Sequence, residues 1–374
     1  MKLIQRKHCI SCGGELLEVE RFIDFPIFMG TTDKGQAEDL KVDMIFSQCK
    51  ECGIVQLEEL VPLDVLYRDA HNNSIGKVWQ RHHLEFANFI KKYASGDVVE
   101  VGGAHLTLAN HLIESEDIST VTVFDANLSA YNNTPRDGVF LKEQFFDSNS
   151  VTSKPSAIIH SHVIEHLYDP LVEIKKMSDL LDDGGYMFVS APVIDKMMND
   201  GFTNAMNLEH TYGLSKCLLR RIMKYANLKI IEEKEFNKHC VFIVAIKSDN
   251  TVEQNKYKQD PSYFYNFISN KKLEVESIKK ELASPKSDTF IFGAHIFTQF
   301  LLNFGLEENS FSCVLDNDRK KQESRLYGTG LFVKSPEVLR NIDNPTVVLK
   351  AGQYTEEIMT DIVNNINSNT RFIL

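Results

Sequence analysis

Hydrophobic and polar positions along the middle of the chain predict strands and helices in turn. Apolar runs of strand length break at glycine or at polar residues, and stretches with apolar residues at helical intervals separate them. The runs are, in order, "DVVEV", "TVTVF", "SAIIHS" and "YMFVSAPV". Before the last of them, "LVEIKKMSDLLDDGG" is an amphipathic helical pattern that stops at glycines. This alternation predicts a largely parallel sheet with ligands at the carboxyl ends of its strands.

The last third of the chain has a different pattern. From about residue 251 to residue 288 it is charged, with apolar residues at helical intervals, which predicts a helix that bridges two domains. Three short apolar runs follow, in "TFIFGAH", "FSCVLDND" and "TVVLKAG". They predict a second Rossmann-like α/β unit with no cofactor of its own. We expect it to enclose a substrate, with Lys321 and its basic neighbours available to phosphates.

Size and charge narrow the classes of protein. A chain of 374 residues is long enough for two or three domains, and its 43% hydrophobic and 25% charged residues are typical of globular proteins. A net charge of −11 argues against a nucleic-acid partner. No apolar run reaches the roughly 20 residues that span a bilayer, and the basic start lacks the apolar region of a secretory signal. We therefore expect a cytoplasmic monomer or weak homodimer without a membrane partner.

Four of the seven cysteines come as two matched pairs, "CISCGG" and "CKECGI". Two intervening residues let both sulfurs face one ion, and the following glycine lets the backbone curl around it. A redox motif is the alternative, but such a motif would occur once, before a helix. We predict structural zinc with the ligands Cys9, Cys12, Cys49 and Cys52. The other cysteines are predicted to be core residues: Cys217, Cys240 and Cys313.

Two acidic residues lie where a nucleoside would bind the predicted sheet. Glu100 precedes the glycine turn at Gly102, and Asp125 ends the next strand. An acid at that second position can hold the hydroxyls of an adenosine ribose. Because "GGAHLT" lacks the G-x-G-x-x-G of a dinucleotide site, the turn favours S-adenosylmethionine, which carries no phosphate. This points to a class I, Rossmann-like methyltransferase domain.

The segment "NLEHTYGLS" follows the last apolar run of that domain and carries Glu209 and His210. A histidine suits the role of a general base near neutral pH, and a carboxylate can orient it. Adjacent residues point in different directions on a helix or strand, so direct cooperation requires an irregular loop. The alternative is a polar turn that leads into the next helix. Farther upstream, His162 and His166 are four residues apart, but they lack the H-E-x-x-H order of a zinc protease, so no catalytic metal is expected.

At this point four pieces of the sequence, in order, resemble the three-domain sugar C-methyltransferases, which alkylate carbon-3 of a nucleotide-linked 3-keto-deoxysugar. The pieces are the paired cysteine motifs, "SHVIEHLYDP", "LEHTYGLS", and "FIFGAHIFTQFLLNFG" with "VLDNDRKKQ". The resemblance implies that Glu209 and His210 are a catalytic pair and that His166 lies near the developing enolate. It also matches Glu100, Gly102 and Asp125 with cofactor-binding positions and the paired cysteines with zinc ligands. The chain departs from the family at Ala104 and Leu106, where further glycines or polar residues are usual.

These observations predict three domains: a zinc-binding domain over residues 1–68, an S-adenosylmethionine-binding domain over 69–250, and a Rossmann-like substrate-enclosing domain over 251–374. The predicted reaction is methylation of a nucleotide-linked keto or deoxy sugar at carbon, through an enolate formed by the His/Glu base. Two alternatives stay open. One is O-methylation of a related sugar, and the other is a non-catalytic relative that binds a sugar nucleotide or a partner.

Overall fold

The computed structural model describes residues 1–68, 76–130, 134–248, 257–283 and 288–374. They group into two compact units, each assembled from separated stretches of chain. The first unit comprises Met1–Leu17, Ser47–Met197 and Glu209–Pro261. The second comprises Glu18–Phe46, Met198–Leu208 and Ser262–Leu374. The division into three domains therefore stays a prediction.

The described residues form strands and helices throughout both units. In chain order the strands are β1 Ile4–Gln5, β2 Leu16–Pro26, β3 Thr31–Thr32, β4 Lys41–Cys49, β5 Val55–Leu57, β6 Glu59–Leu60, β7 Gly96–Val101, β8 Ile118–Asp125, β9 Val139–Glu143, β10 Ala157–Ser161, β11 Tyr186–Pro192, β12 Leu228–Phe236, β13 Cys240–Lys247, β14 Thr289–Phe292, β15 Val314–Leu315, β16 Arg325–Leu326, β17 Val333–Lys334, β18 Thr346–Leu349 and β19 Arg371–Ile373. The α-helices are α1 Leu63–Leu66, α2 Lys77–Ile90, α3 Thr107–Leu112, α4 Pro170–Asp179, α5 Ile194–Asn199, α6 Lys216–Tyr225, α7 Ser262–Leu282, α8 Ile296–Asn303 and α9 Thr355–Asp361.

A seven-stranded sheet in the order β12-β13-β11-β10-β7-β8-β9 organises the first unit. Strand β13 runs antiparallel to both of its neighbours, and the other pairings are parallel. Its central strands are buried apolar runs, as in "SAIIHS", because helices cover both faces of such a sheet. The predicted, largely parallel sheet is confirmed. The order of strands reverses between β7 and β10. Sheets of this kind bind ligands beyond the carboxyl ends of the strands at such a reversal.

Aromatic side chains fill one face of this sheet. Phe86 and Phe89 of α2 pack their rings 4.8 Å and 5.9 Å from the ring of Phe242 in β13. All three rings are buried. The expectation that Cys217 is a core residue was wrong, because it lies on the exposed face of the amphipathic helix α6.

The second unit has its own five-stranded parallel sheet, in the order β17-β15-β14-β18-β19. Its chain order also reverses once, between β14 and β18, so the predicted Rossmann-like pattern is present. The predicted helix over residues 251–288 is observed as α7, and residues 251–256 and 284–287 of that range lie outside the described residues. None of the described helices has both the length and the apolar character needed to cross a bilayer.

Candidate active site

The turn after β7 requires glycine at Gly102. Its φ is 80°, and a Cβ at this position would lie 2.4 Å from Cγ2 of Val163. Four residues after Gly102, Leu106 is the residue that directly precedes α3, and its φ is 55°. Leu106 thus has a left-handed backbone, which a leucine adopts at a cost of about 1–2 kcal/mol.

Glu100 lies directly beneath this turn. A Cβ on Gly103 would be 2.7 Å from the carboxyl carbon of Glu100, so only glycine allows the turn to close over it. Burial, and secondarily the negative charge of Asp125, raise the pKa of Glu100 to about 8. Within the described residues its Oε2 atom is buried without a hydrogen-bond donor. The carboxyl group is therefore protonated at neutral pH and supports the floor of the turn.

Asp125 ends β8 at the same edge of the sheet. Its Oδ1 accepts a hydrogen bond of 2.8 Å from the amide of Asn127, and burial raises its pKa. The amide of Gly102 donates to the carbonyl of Phe124 at 2.8 Å, which joins the turn to the end of β8. The structure thus brings the three predicted cofactor residues together beside the strand-order reversal, and this arrangement fits an adenosyl group held against a glycine turn.

The segment from Glu209 to Ser215 is an irregular loop, as direct cooperation of its polar residues requires. It runs alongside β5. The amide of Leu57 donates to the carbonyl of Thr211 at 2.9 Å, and the amide of Gly213 donates to the carbonyl of Val55 at 2.8 Å. Ser215 ends the loop by capping α6, with its hydroxyl accepting a bond of 3.1 Å from the amide of Leu218. Main-chain pairing therefore fixes the loop to a strand next to the cysteine motifs.

Two buried side chains fix the loop from its other sides. The hydroxyl of Tyr212 donates to the carbonyl of Ile164, and the ring is 2% exposed. Arg6 donates to the carbonyls of Thr211 and Tyr168 at 2.9 Å and 2.8 Å. Burial lowers the pKa of Arg6 to about 10, and it remains charged. The sequence offered no periodic signal for Arg6, because its partners lie far away along the chain.

His166 meets this loop from a short 3-10 helix, Ile164–His166. Its Nδ1 lies 3.1 Å from the main-chain oxygen of Glu209 and 3.9 Å from the carboxylate of the same residue. A carbonyl oxygen only accepts, so Nδ1 carries the hydrogen there. The rings of His166 and His210 are 5.3 Å apart. The structure therefore places the three predicted catalytic residues, Glu209, His210 and His166, in one cluster.

Glu165 belongs to the same cluster, although the sequence analysis missed it. It is fully buried, and its Oε1 lies 3.1 Å from Nδ1 of His162 and 3.8 Å from Nε2 of His166. Burial alone would raise its pKa, but the hydrogen bond from His162 and the charges of the surrounding histidines lower it to about 2. The only signal in the sequence was an acid next to a histidine in "VIEHL".

Tyr67 is a second residue that the sequence analysis did not assign to the site. Burial, followed by the negative charge of Glu209, raises its pKa well above the usual range, and the charges of Glu165 and Asp125 act in the same direction. The phenol therefore stays protonated, and the charges that act on it come from both Asp125 and the loop residue Glu209. The neighbouring segment, residues 69–75, lies outside the described residues.

The four paired cysteines converge on one point, and their sulfurs all lie within 4.8 Å of one another. Sγ of Cys9 is 3.4 Å from Sγ of Cys52, and the same distance separates Cys12 from Cys49. A tetrahedral zinc with bonds of 2.3 Å would set sulfurs about 3.8 Å apart, so the cluster is of the right size. Two glycines with positive φ, Gly13 and Gly53, shape matching turns after the two pairs. This donor set fits a closed structural site.

The fold and the site together define a class. A seven-stranded sheet with one antiparallel strand, a glycine turn over a buried acid, and a second acid on the adjacent strand constitute a Rossmann-like methyltransferase domain. A family model described as a methyltransferase domain matches residues 72–233. The chain therefore contains a methyltransferase domain.

Three solved structures of similar fold are distant from this chain in sequence. An O-methyltransferase family protein from Burkholderia thailandensis is 12% identical, with 46% of this chain and 58% of that chain covered and a TM-score of 0.38. The N-methyltransferase NodS from Bradyrhizobium japonicum, in complex with S-adenosyl-L-homocysteine, is 12% identical over 46% of this chain and 89% of that chain, with a TM-score of 0.35. For a SAM-dependent methyltransferase from Aquifex aeolicus the identity is 14%, the coverage 45% and 93%, and the TM-score 0.33. No curated protein sequence matches the chain.

Proposed function

We propose that this methyltransferase acts on a nucleotide-linked keto or deoxy sugar and methylates a carbon atom next to the keto group. The observation that carries the proposal is the distance of 5.3 Å between the rings of His166 and His210. His210 lies on the loop from Glu209 to Ser215, and His166 lies on the adjacent 3-10 helix. Methylation of a hydroxyl needs a single base. Methylation of carbon needs one group to remove a proton and another to stabilise the enolate oxygen, and two adjacent imidazoles match that need.

The two histidines have different surroundings, which supports different roles. His166 keeps the hydrogen on Nδ1 by donating to the carbonyl of Glu209, so its Nε2 faces the site and lies near Glu165. A carboxylate at that position stabilises the positive charge that forms when the ring is protonated, and a protonated Nε2 can donate to an enolate oxygen. His210 is then the base that removes the proton from carbon, with Glu209 orienting the base or binding a sugar hydroxyl.

S-adenosylmethionine, when bound, supplies an electrophilic methyl group. Gly102 would hold it by allowing close approach at the turn, and Asp125 by accepting hydrogen bonds from ribose hydroxyls. Glu100 would act from beneath the turn, by keeping its shape. The choice of a sugar nucleotide as acceptor rests on the resemblance of "LEHTYGLS" and "SHVIEHLYDP" to the sugar C-methyltransferases.

We also propose that the ion held by the four paired cysteines is zinc. A closed set of four thiolates leaves no position for a substrate, so the ion has a structural role. The second cysteine pair is followed directly by β5, whose main chain holds the loop at Thr211 and Gly213. Zinc would thereby stabilise the strand to which the catalytic loop is fixed.

Exchange of solvent deuterium tests the proposal before any methyl transfer. The enzyme is incubated with S-adenosyl-L-homocysteine and a panel of 3-keto and 4-keto sugar nucleotides in D2O, and deuterium at the carbon next to the ketone is measured by mass spectrometry. We expect exchange with at least one keto sugar, and a loss of about 10²–10⁴-fold in its rate in His210→Ala, the usual contribution of a general base.

His111→Ala is the matched control, because His111 is a half-buried histidine of the same unit that pairs with Glu114 instead of facing the loop. It should exchange at the wild-type rate. Methyl transfer to a sugar hydroxyl with no exchange at carbon would replace the proposal with O-methylation.

A further inference from the structure

Three potential metal ligands from distant parts of the chain converge on one point of the first unit. They are His82 in α2, His162 directly after β10, and Cys240 at the start of β13. Nε2 of each histidine lies 3.7 Å from Sγ of Cys240, and all three ligand atoms are within 4.8 Å of one another. Cys240 is a buried core residue, as predicted. The cluster that it forms with the two histidines is separate from the paired cysteines and from the loop that carries His210.

The spacing of these atoms matches a coordinated ion. For zinc bonds of 2.3 Å to sulfur and about 2.05 Å to nitrogen, the observed 3.7 Å between sulfur and nitrogen corresponds to an angle of about 116° at the metal. That angle is close to tetrahedral for both histidines. The hydroxyl of Ser190 is a further polar neighbour of the cluster, 2.8 Å from Nε2 of His82 and 3.3 Å from the sulfur.

Neighbouring side chains hold both histidine rings in place. Oε1 of Glu165 lies 3.1 Å from Nδ1 of His162, and this carboxylate–imidazole contact directs Nε2 toward the other ligands, as partners of metal-bound histidines commonly do. His162 keeps this orientation despite a left-handed backbone with φ 54°, a conformation that costs a non-glycine residue free energy. The ring of His82 is packed 5.1 Å and 5.2 Å from the rings of Phe236 and Phe242.

A catalytic Cys-His-Glu triad is the competing interpretation of Cys240, His162 and Glu165. A nucleophilic cysteine needs one base and an open path to its substrate. Here two imidazole nitrogens face the same sulfur, and Cys240 is 8% exposed. A metal ion accounts for both imidazoles. It also balances the buried charge, because a divalent ion, the thiolate and the carboxylate of Glu165 together sum to zero.

We propose that His82, His162 and Cys240 bind a second metal ion, a divalent transition metal that accepts thiolate and imidazole, for which zinc and cobalt(II) are suitable probes. Glu165 connects this ion to the catalytic loop, because its Oε1 also lies 3.8 Å from Nε2 of His166. The ion would position that carboxylate, and through it the ring of His166, without contacting the substrate.

The full chain is loaded with zinc, freed of loosely bound metal by gel filtration, and analysed by elemental mass spectrometry. We expect the wild-type protein to hold one zinc more than Cys240→Ser and one more than His162→Gln. Cys313→Ser, which changes a buried cysteine of the second unit, is the matched control and should retain the wild-type content. Cobalt(II) loading should give a stronger sulfur-to-metal absorption in the wild-type protein and in Cys313→Ser than in Cys240→Ser, where only the four paired cysteines supply thiolates.

One further variant assigns the ion to this cluster. Glu165, His166 and His210 also lie close enough to share an ion, so His210→Gln should leave the metal content unchanged if the assignment is correct. The proposal is overturned if the wild-type protein holds no more than one zinc, if Cys240→Ser and His162→Gln bind as much as wild type, or if His210→Gln loses the additional ion. Circular dichroism of each variant shows whether a loss of metal reflects unfolding.

Discussion

At the scale of single residues, the glycine turn after β7 is the most constrained part of the cofactor crevice. Two conditions act together at Gly102, a left-handed backbone and a neighbouring side chain that leaves no room for a Cβ. At Leu106 the same kind of backbone carries a leucine with a buried side chain. The sequence shows Gly102 as a match to a glycine turn and Leu106 as a departure from it, whereas the structure shows that both residues have a left-handed backbone.

Gly102→Ala should weaken binding of S-adenosyl-L-homocysteine by at least about tenfold, or 1.4 kcal/mol, because the turn must move away from Val163. Isothermal titration calorimetry measures the effect. Gly76→Ala is the control, since Gly76 has an ordinary φ of −67° and open space around its Cβ position. An unchanged affinity in Gly102→Ala would show that the cofactor does not approach this turn.

Glu100 should make stability depend on pH. Its pKa is raised from 4.5 to about 8 in the folded protein, so between these values the folded state binds a proton that the unfolded state has lost. Stability should therefore fall as the pH rises through this window, by up to about 1.4 kcal/mol per pH unit. Urea unfolding of the cofactor-free protein at pH 5 and pH 8 should show a larger loss in wild type than in Glu100→Gln.

Glu116→Gln serves as the control for that comparison, because Glu116 is exposed on the same unit and its replacement should leave the pH dependence at the wild-type level. Equal losses of stability in wild type and Glu100→Gln would contradict the assignment of a protonated carboxyl group beneath the turn.

At the scale of elements, the loop from Glu209 to Ser215 is held in position by hydrogen bonds from neighbouring elements more than by its own sequence. Its main chain forms hydrogen bonds with β5, and the hydroxyl of Tyr212 donates to the carbonyl of Ile164. Arg6 donates to the carbonyls of Thr211 in the loop and Tyr168 outside it. These contacts join residues separated by 48 to 205 positions in the chain. The precise placement of His210 therefore depends on elements that carry no catalytic group.

Arg6→Ala should destabilise the protein by about 3 kcal/mol, because it leaves several buried carbonyls without a donor. It should also lower the turnover number more than substrate affinity, since the loop loses its anchor while the crevice is intact. Chemical denaturation and steady-state kinetics measure the two effects. Lys7→Ala, at an exposed neighbouring position, should change stability by less than about 0.5 kcal/mol.

Elements of the fold differ in how far the sequence predicts them. The central strands β7, β8, β10 and β11 are buried runs that pattern alone identifies. The edge strands β9 and β12 were missed, because "VFLKE" and "LKIIEEKEF" alternate with exposed charges that also suit a helix or loop. Strand β13 is a clear apolar run that was not among the predicted strands. Nothing in its sequence shows that it runs antiparallel to its neighbours.

The candidate site divides in the same way. Glu209, His210 and His166 were found because they lie in recognisable segments. Glu165, Tyr67 and the cluster of His82, His162 and Cys240 depend on contacts across 78 to 158 residues or on burial, which no local pattern reports. Spacing suggested a pairing of His162 with His166, whereas the backbone after β10 turns the two rings toward different partners.

At the scale of the whole molecule, the described residues include one largely parallel and one parallel sheet, each with a reversal of strand order, and their glycine turns differ chemically. In the second unit, Asp316 follows β15 as Asp125 ends β8, but it accepts a bond of 2.8 Å from the amide of Ala294 and pairs with Lys321 at 3.3 Å. The residue two before its turn glycine is Ile291, where the first unit has Glu100. These differences favour a cofactor in the first unit alone. Lys321, which was expected to be available to phosphates, forms an ion pair with Asp316.

The central proposal is that this protein transfers a methyl group to a carbon atom of a nucleotide-linked sugar. The most direct test uses S-adenosylmethionine carrying a carbon-13 methyl group, a panel of keto-sugar nucleotides, and NMR spectroscopy of the purified product. We predict a methyl signal coupled to a sugar carbon, at the chemical shift of a carbon-bound methyl group. A signal at the shift of an oxygen-bound methyl group, or no labelled product from any keto sugar while S-adenosyl-L-homocysteine accumulates with another acceptor, would contradict it.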